Sequence, residues 1–505
     1  MIADAAFISV LVAVTAGLVG AVAIERLMTL SPSFVRPWSA WMLHGGLWLL
    51  AYALITLLFG RPWFATAVVS AFLLMLVLVN NAKETALREP FIFQDYEYFT
   101  DMIRHPRLYI PFLGWWKFIG AVAGFVLAIC VGLWGESVPT HRFSWLGQSG
   151  AIAVVAMGSM FLLLVGNRRS LQVNFDPQSD LHRLGLLASL WCYGKEERHL
   201  PTVVSPFSVQ VQKKFTSDLP HLVAVQSESF FDPRPLYSGI KTEVLKEFDR
   251  LKLDAVAHGK LNVPAWGANT VRTEFGFLSG VDAAELGVHR FNPYRAIVAG
   301  WKVSSVASFL RDLGYQTVCI HPYPASFYRR DLVYPRQGFE KFIDVRSFDP
   351  ANCFGPYISD LALADKVAAI LHEATCPVFV FVITMENHGP LHLERVAPLD
   401  NNYLYSTAPP AGCEDLTIYL RHLRNADRMI ASLRDILESN RQPASLCWFG
   451  DHVPIMPTVY KTFGEPNGEV EYCVWSNRKL GSRKVCNISV EKLSLDWLRH
   501  TGIIH

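Results

Sequence analysis

The chain has 505 residues, of which 51% are hydrophobic, a mean hydropathy of +0.23 and a formal net charge of +2. This composition excludes a single small soluble domain and predicts a membrane part joined to a globular part, because the apolar residues are concentrated in the first third. The near-neutral charge, without a basic stripe in the last two thirds, argues against a nucleic-acid partner.

Apolar stretches in the first third are each long enough, or nearly so, to cross a bilayer as a helix. Tryptophans stand near their ends, which is typical of membrane–water interfaces. The first stretch has Asp4 in place of a basic leader, so we expect an uncleaved span rather than a signal peptide. The five predicted spans are 5–24, 38–60, 62–81, 118–134 and 145–167.

Basic residues cluster in the third loop and after the fifth span, and the positive-inside rule would place both segments in the cytoplasm. They are Lys83, Arg88, Arg104, Arg107, Arg168 and Arg169. Counting charges alone therefore predicts a cytosolic C-terminal part. Alternatively, segment 83–108, which mixes aromatic and charged residues, lies on the membrane surface with its cations on anionic head groups.

The segment that follows the last span alternates polar turns with amphipathic stretches such as 181–193, which predicts a linker on the membrane surface. After Pro220 the composition becomes that of a globular domain. The predicted organisation is a five-span transmembrane domain at 1–169, an amphipathic interfacial linker at 170–215 and a globular domain at 216–505.

In the globular part, short apolar runs typical of buried strands alternate with helix-like segments, which predicts a layered α/β fold. The predicted strands are 221–226, 316–320, 378–385 and 445–449, and the predicted helices are 302–313, 358–374 and 418–439. The nine cysteines form no CxxC pair, which argues against a thiolate metal cluster. They are either small buried hydrophobes or, outside the cytoplasm, partners in disulfides.

Reactive side chains follow three of these strands, where ligands collect in open α/β sheets. Glu228 follows the first, His388 the third, and Asp451 and His452 the fourth. Taken singly, such residues are commonly caps or structural groups. Together, carboxylates, an imidazole and a hydroxyl at one sheet edge could hold a divalent ion, and the mixed oxygen and nitrogen donors suit Mn²⁺ or Zn²⁺.

The hydroxyl of this set is Thr270, which follows the small residues Gly267 and Ala268 and precedes a predicted helix. A metal and a helix N-terminus would both favour its alkoxide. The alternative is a threonine that only caps the helix.

These segments resemble the lipoteichoic acid synthase and phosphoglycerol transferase family of the alkaline phosphatase superfamily, and they follow the same order. The matching segments are 226–230, 270–275, 327–331, 338–342, 387–388 and 450–452. The resemblance implies five transmembrane helices followed by an extracytoplasmic α/β alkaline-phosphatase-like, or sulfatase-like, catalytic domain in the bacterial inner membrane. This topology is opposite to the one that charge counting predicts.

The resemblance also implies roles for individual residues. Glu228, Thr270, Asp451 and His452 would ligate one divalent ion, Mn²⁺ first and Zn²⁺ or Mg²⁺ as alternatives. Thr270 would also be the nucleophile.

Further residues would contact the substrate. Arg330 and His388 would contact the phosphoryl oxygens and glycerol, and His388 would also move protons. Tyr328 stands where the family commonly has Trp, and Asn269 replaces the family's Lys before the nucleophile. Asn269 and His392, with His321, are supporting candidates for which structural roles remain equally open.

The implied reaction moves glycerol phosphate from phosphatidylglycerol to an envelope glycan or polyol-phosphate acceptor. A phosphoethanolamine transferase that acts on lipid A or a surface glycan is the nearest alternative. An arylsulfatase is disfavoured, because Thr270-Val271-Arg272 does not match the C/S-x-P-x-R pattern of sulfatases. From another class, a catalytically silent membrane scaffold in envelope polysaccharide assembly stays open.

Overall fold

The computed structural model describes residues 2–104, 106, 114–136, 142–168, 171–209, 219–478 and 484–504. Its contacts divide the chain into two compact units, Met1–His199 and Leu200–His505. The predicted domain limit at 169 and the last part of the predicted linker, 210–215, lie outside the described residues. The domain boundaries predicted from the sequence therefore stay a prediction.

The first unit is helical. Among the described residues, five of its helices are long and apolar enough to cross a membrane: Phe7–Glu25, Trp38–Phe59, Pro62–Leu87, Phe118–Gly135 and Trp145–Arg168. They confirm the five predicted apolar spans. The α-helices of this unit are α1 (Ile2–Glu25), α2 (Trp38–Phe59), α3 (Pro62–Leu87), α4 (Glu97–Arg104), α5 (Trp115–Gly135), α6 (Arg142–Arg168), α7 (Pro177–Leu184) and α8 (Leu186–Glu196).

Helix α3 continues past the predicted end at residue 81 because its polar last turns find partners inside the unit. The Lys83 ammonium lies 2.6 Å from the carboxylates of both Glu89 and Asp95, and its side chain is almost fully buried. Its charge is therefore neutralised within the protein. This corrects the suggestion that Lys83 meets lipid head groups.

Residues 177–196 fold as two amphipathic helices, as their pattern predicts. Leu181 and Leu186 are fully buried in the core formed by the apolar helices. Asp180 is also buried and accepts a hydrogen bond from the Tyr193 hydroxyl at 3.0 Å. These helices thus belong to the first unit, and their role at a membrane interface stays a prediction.

The second unit is built on one twisted sheet. Its strands are β1 (His221–Ser227), β2 (Ala257–Asn262), β3 (Gln316–Ile320), β4 (Lys341–Ile343), β5 (Cys353–Phe354), β6 (Tyr357–Ile358), β7 (Val378–Ile383), β8 (Ala444–Gly450), β9 (Val470–Ser476), β10 (Lys484–Val485) and β11 (Ile488–Ser489). The sheet runs β10-β2-β9-β8-β1-β7-β3-β4, with β11 also on β2, and β5 and β6 form a separate hairpin. Strand β9 is antiparallel to β2 and β8, whereas the other pairs in the large sheet are parallel.

Helices cover both faces of this sheet. They are α9 (Pro206–Val209), α10 (Lys246–Leu253), α11 (Thr270–Ser279), α12 (Pro293–Val298), α13 (Val306–Arg311), α14 (Arg330–Arg336), α15 (Asp360–Glu373), α16 (Asp400–Leu404), α17 (Glu414–Glu438), α18 (Pro457–Phe463) and α19 (Val490–His500). This alternation of strands and helices confirms the predicted α/β class.

The core has two layers because successive side chains of a strand point to opposite faces. Val223 and Val225 of β1 pack with residues of α15 and α17. Leu222 and Ala224 pack on the other face with residues of α11, α13 and α19. All nine cysteines, each in a described part of the chain, are free thiols.

Candidate metal and nucleophile site

The carboxyl ends of β1 and β8 bring three potential metal ligands together. The two strands are parallel neighbours in which Ser227 pairs with Gly450. Glu228 is the next residue after β1, and Asp451 and His452 follow β8, so the strand register alone places them side by side. All three are buried, with 4%, 0% and 2% of their surfaces exposed, respectively.

The geometry of this cluster suits one cation. A ligand atom from each residue lies within 4.8 Å of the others. His452 Nε2 is 3.6 Å from Glu228 Oε1 and 3.5 Å from Asp451 Oδ2. Within the described chain, Asp451 Oδ2 has no hydrogen-bond partner. Burial, and then the neighbouring Asp451 carboxylate, raise the pKa of Glu228 to about 8, so a divalent ion would relieve the repulsion between the two acids.

Ser229 orients both carboxylates. Its backbone N–H donates to Asp451 Oδ1 at 2.8 Å, and its hydroxyl donates to Glu228 Oε1 at 2.9 Å. Its φ of +52° is unusual for a residue other than glycine. The sequence segment 226–230 contains Ser229, but no role was predicted for it, because this backbone conformation is not visible in a Ser-Glu-Ser pattern.

The loop before α11 places Thr270 at the same edge of the sheet. The Gly267 N–H donates to the Val453 carbonyl at 3.1 Å, and the Thr273 hydroxyl donates to the Asp451 carbonyl at 2.7 Å. On the β1 side, Gln226 Nε2 lies 3.5 Å from the Thr270 carbonyl oxygen. These contacts hold the start of α11 between the ends of β1 and β8, beside the three potential ligands Glu228, Asp451 and His452.

Thr270 is the first residue of α11 and is 9% exposed. A negative charge that develops on its oxygen would face the positive end of the helix dipole. Asn269, the residue before it, adopts φ +67° and makes no side-chain capping bond, so the predicted substrate contact of Asn269 stays a prediction.

Arg330 opens α14 and is almost fully buried. Its Nε and Nη2 donate to the Glu274 carboxylate at 3.2 and 2.7 Å, and the Tyr294 and Tyr334 hydroxyls donate to the same carboxylate. Arg330 is therefore held in a buried ion pair with Glu274. Nη1 finds no hydrogen-bond partner in the described ranges.

Tyr328, His392 and His321 differ in burial and in their surroundings. The half-buried Tyr328 ring lies 5.2 Å from the Arg330 guanidinium carbon. His392 is exposed on a short 3-10 turn. His321 is buried with Nδ1 3.2 Å from the Ile383 carbonyl, and burial lowers its pKa well below the usual value. Their contacts with a substrate stay predictions.

His388 is half-buried in the loop after β7. Its Nδ1 lies 2.6 Å from the Gly389 carbonyl oxygen, so Nδ1 carries the proton and Nε2 is the second, reactive nitrogen. Burial lowers the pKa of His388, which favours a neutral ring that can accept a proton.

A second buried network, which the sequence did not reveal, holds both ends of the His388 loop. His422 of α17 has Nδ1 3.1 Å from Glu386 Oε1 and Nε2 2.9 Å from Glu394 Oε1. Asn425, one helical turn further on, donates to Glu386 at 2.7 Å. We call these residues the His422 clamp. The only available signal was a lone histidine among the apolar residues of α17, and that pattern is more typical of a core histidine.

The comparisons with known proteins agree with this architecture. The Sulfatase family model matches residues 220–503. The capsular polysaccharide biosynthesis protein RkpI of Rhizobium meliloti strain 1021 is 27% identical over 432 residues, which covers 80% of this chain and 76% of that protein.

Solved structures share the fold. The Streptococcus pyogenes phosphoglycerol transferase GacH, in complex with sn-glycerol-1-phosphate, has a TM-score of 0.50 and 21% identity over 57% of this chain and 76% of its own. The integral membrane protein lipooligosaccharide phosphoethanolamine transferase A (EptA) of Neisseria meningitidis has a TM-score of 0.56 and 13% identity, and covers 100% of this chain and 95% of its own. Since the family model spans more than half of the sequence, the chain belongs to the sulfatase family.

Proposed function

We propose that the protein is a membrane-bound phosphoglycerol transferase that moves glycerol phosphate from phosphatidylglycerol to an envelope glycan or polyol-phosphate acceptor. The observation that carries this proposal is the placement of Thr270 beside the cluster of Glu228, Asp451 and His452. Names of proteins similar to this chain point the same way, since they include a phosphoglycerol transferase and a capsular polysaccharide biosynthesis protein.

One divalent ion fits the cluster, with Mn²⁺ as the first choice and Zn²⁺ or Mg²⁺ as alternatives. Glu228, Asp451, His452 and the Thr270 hydroxyl would hold it. Asp451 Oδ2 has no hydrogen-bond partner among the described residues, which supports a ligand at this position. When bound, the ion supplies positive charge that stabilises the Thr270 alkoxide and the phosphoryl oxygens.

The chain's own residues support a transfer in two steps. In the first step Thr270 Oγ forms a bond to phosphorus while the bond from phosphorus to the diacylglycerol oxygen breaks, and diacylglycerol leaves with the threonine proton. In the second step an acceptor hydroxyl attacks the same phosphorus, gives up its proton, and the Thr270 hydroxyl is restored. Protons therefore balance over the cycle.

Arg330 and His388 have separate tasks in this scheme. Glu274 fixes Arg330 by its Nε and Nη2, so Nη1 remains to donate to a non-bridging phosphoryl oxygen. His388 presents Nε2, which would take the threonine proton and pass it to the leaving oxygen. In the second step Nε2 would take the acceptor's proton and return it to Thr270. Tyr328, Asn269 and His392 would contact the head group.

The membrane spans turn the search for a lipid into a short-range encounter, because the catalytic unit stays tethered to the donor's bilayer. We place the protein in the bacterial inner membrane with the catalytic unit on the periplasmic or outer side. Labelling the variant Leu253→Cys with a membrane-impermeant reagent, read on the peptide that contains residue 253, tests this orientation. Labelling that requires broken cells would contradict it.

Diacylglycerol release tests the reaction. The full-length protein in lipid nanodiscs with Mn²⁺ should release diacylglycerol from phosphatidylglycerol, and Thr270→Ala should abolish this release because the nucleophile is lost. Thr242→Ala, which changes an exposed threonine that bonds to Glu243, is the matched control and should keep full activity. Undiminished release by Thr270→Ala would contradict the proposal.

The full-length fold shared with EptA favours phosphatidylethanolamine as a second candidate donor. A parallel incubation decides between the two donors. Diacylglycerol release from phosphatidylethanolamine alone would keep the Thr270 chemistry and change the head group to phosphoethanolamine. Consumption of neither lipid, together with an unchanged cellular function of Thr270→Ala, would favour the silent scaffold.

A further inference from the structure

Large apolar side chains are exposed on one face of the second unit, beside the His388 loop. Leu393, Leu399 and Tyr403 are 54%, 56% and 55% exposed, and Phe354 at the tip of the β5–β6 hairpin is 38% exposed. We call these four residues the apolar rim. Isolated exposed leucines are ordinary on protein surfaces, whereas a group beside a catalytic loop indicates a binding surface.

Two of the rim residues, Phe354 and Leu393, are connected through the His422 clamp. The Phe354 ring packs edge-on against the His422 ring with centroids 5.5 Å apart. His422 Nε2 in turn binds Glu394, the neighbour of Leu393. Phe354 and Leu393 therefore lie on the same side of α17, although 39 positions separate them in the sequence.

The other two rim residues, Leu399 and Tyr403, are held in place by arginines of α17. Arg421 binds Asp400, the neighbour of Leu399, at 3.1 Å. The Arg424 guanidinium lies over the Tyr403 ring at 5.4 Å from its centroid. Since Arg421 also binds Glu394 at 2.7 Å, one arginine connects both parts of the rim.

The charge of segment 391–406, which carries three of the four rim residues, fits an anionic lipid surface. Within 391–406, all of which is described, both acidic residues, Glu394 and Asp400, are half-buried and paired with Arg421. Arg395 is exposed, and so is His392. Exposed apolar groups with a cation and without an exposed acid are typical of segments that lie in the head-group region of a bilayer.

The rim borders the candidate site. Tyr357, on the same hairpin as Phe354, packs edge-on against the His388 ring with centroids 5.8 Å apart. We propose that the apolar rim is a membrane-docking surface that enters the head-group region of the bilayer and brings a lipid donor to His388. This inference rests on the proposed function only for the identity of the donor.

Photo-crosslinking tests the docking without requiring activity. Benzoylphenylalanine is placed at Leu393 or Leu399 of the full-length protein in nanodiscs that contain phosphatidylglycerol, and the crosslinked peptides are identified by mass. Leu253 and Val485, 68% and 66% exposed in the same unit, are matched controls. Leu54 in α2, 52% exposed, is the reference for contact with acyl chains.

We expect lipid adducts at positions 393, 399 and 54, and at neither control position. Adducts at 54 but not at 393 or 399 would overturn the proposal. Crosslinks from 393 or 399 to protein instead of lipid would also overturn it, and would assign the rim to a protein partner.

A kinetic comparison supplies a second readout. The double variant Leu393→Asn/Leu399→Asn should raise the apparent KM for phosphatidylglycerol in vesicles about tenfold, because less apolar surface is buried in the bilayer. The same variant should turn over a short-chain, water-soluble phosphatidylglycerol at the wild-type rate. An unchanged vesicle KM would contradict docking, whereas no turnover of either donor by the wild type would refute the proposed function and leave the crosslinking result standing.

Discussion

Two sets of buried carboxylates in the second unit differ in whether a cationic side chain of the protein neutralises them. Glu274 is neutralised by Arg330, which donates two hydrogen bonds to its carboxylate. Glu228 and Asp451 both lie close to His452, and Asp451 Oδ2 has no hydrogen-bond partner in the described chain. The carboxylate of the first set is neutralised within the fold, whereas a metal ion would complete the second set under the proposed function.

The His422 clamp follows the first pattern. His422 lies between Glu386 and Glu394, and Arg421 neutralises the outer oxygen of Glu394. Carboxylates that are neutralised by cationic side chains of the protein therefore lie beside the candidate site, whereas Glu228 and Asp451 are the pair that we propose binds the ion.

The largest expected effect comes from Asp451→Asn. Activity should fall by roughly three orders of magnitude, since several kcal/mol of stabilisation by the ion are lost. In the presence of a chelator the free energy of unfolding should not decrease, because the substitution removes repulsion from Glu228. Metal content, turnover and calorimetric unfolding measure these quantities. A marked loss of stability in chelator would show that the cluster is structural.

Glu274→Gln should give the opposite result. It leaves the buried Arg330 charge without a full counter-ion and should destabilise the protein by about 3–5 kcal/mol, with metal binding retained. Denaturant unfolding measures the loss. Asp312→Asn, which removes the acid of an exposed pair with Arg311, is the control and should change stability by less than about 1 kcal/mol. If the two substitutions reduced the free energy of unfolding equally, the buried Glu274–Arg330 pair would be no more important for stability than an exposed pair.

His422→Gln tests the clamp through pH. Burial lowers the pKa of His422, but hydrogen bonds to Glu386 and Glu394 outweigh this effect and raise it above the usual value. The charged ring therefore contributes stability that is fully present below about pH 6.5 and is lost as pH rises through the folded-state pKa. The variant should lack this pH-dependent loss in unfolding experiments.

The exposed His372 of α15 offers a control for that experiment. His372→Gln should retain the wild-type decrease in stability with rising pH. If His422→Gln also retains it, the clamp histidine is neutral throughout and the comparison with Arg330 fails.

The smallest effect is expected for Ser229→Ala. The variant loses the hydroxyl bond to Glu228 and keeps the N–H bond to Asp451. Metal affinity should fall about tenfold, since groups that orient ligands are worth about this much. Calorimetric titration with Mn²⁺ measures it, and Ser439→Ala at an exposed position is the control. Unchanged affinity would mean that Ser229 does not orient the ligands.

Much of the framework could be predicted from the sequence because it follows from short-range patterns. The strand β3 runs over the predicted residues 316–320, and β1, β7 and β8 differ from prediction by one or two residues at their ends. The sequence did not predict β2 or β9, nor the short strands β4, β5, β6, β10 and β11. Strand β2 reads Ala-His-Gly-Lys-Leu-Asn and is kept in the sheet by its antiparallel partner β9 rather than by its own apolar pattern.

Some residues of the candidate site could likewise be predicted from local sequence patterns, and others could not. Glu228, Asp451 and His452 are recognisable because each directly follows an apolar strand. The partner of Arg330 lies 56 positions away in the sequence, and the contacts of His422 lie 36 and 28 positions away. Such long-range pairs depend on tertiary packing, which no local pattern encodes.

The mass of the Thr270-containing peptide tests the central claim most directly. Wild-type protein is incubated with Mn²⁺ and phosphatidylglycerol without an acceptor, quenched in acid and digested, with Thr270→Ala in parallel. We expect a glycerophosphoryl adduct on Thr270 and no adduct in the variant. An unmodified Thr270 in protein that has bound metal and released diacylglycerol would contradict the covalent mechanism.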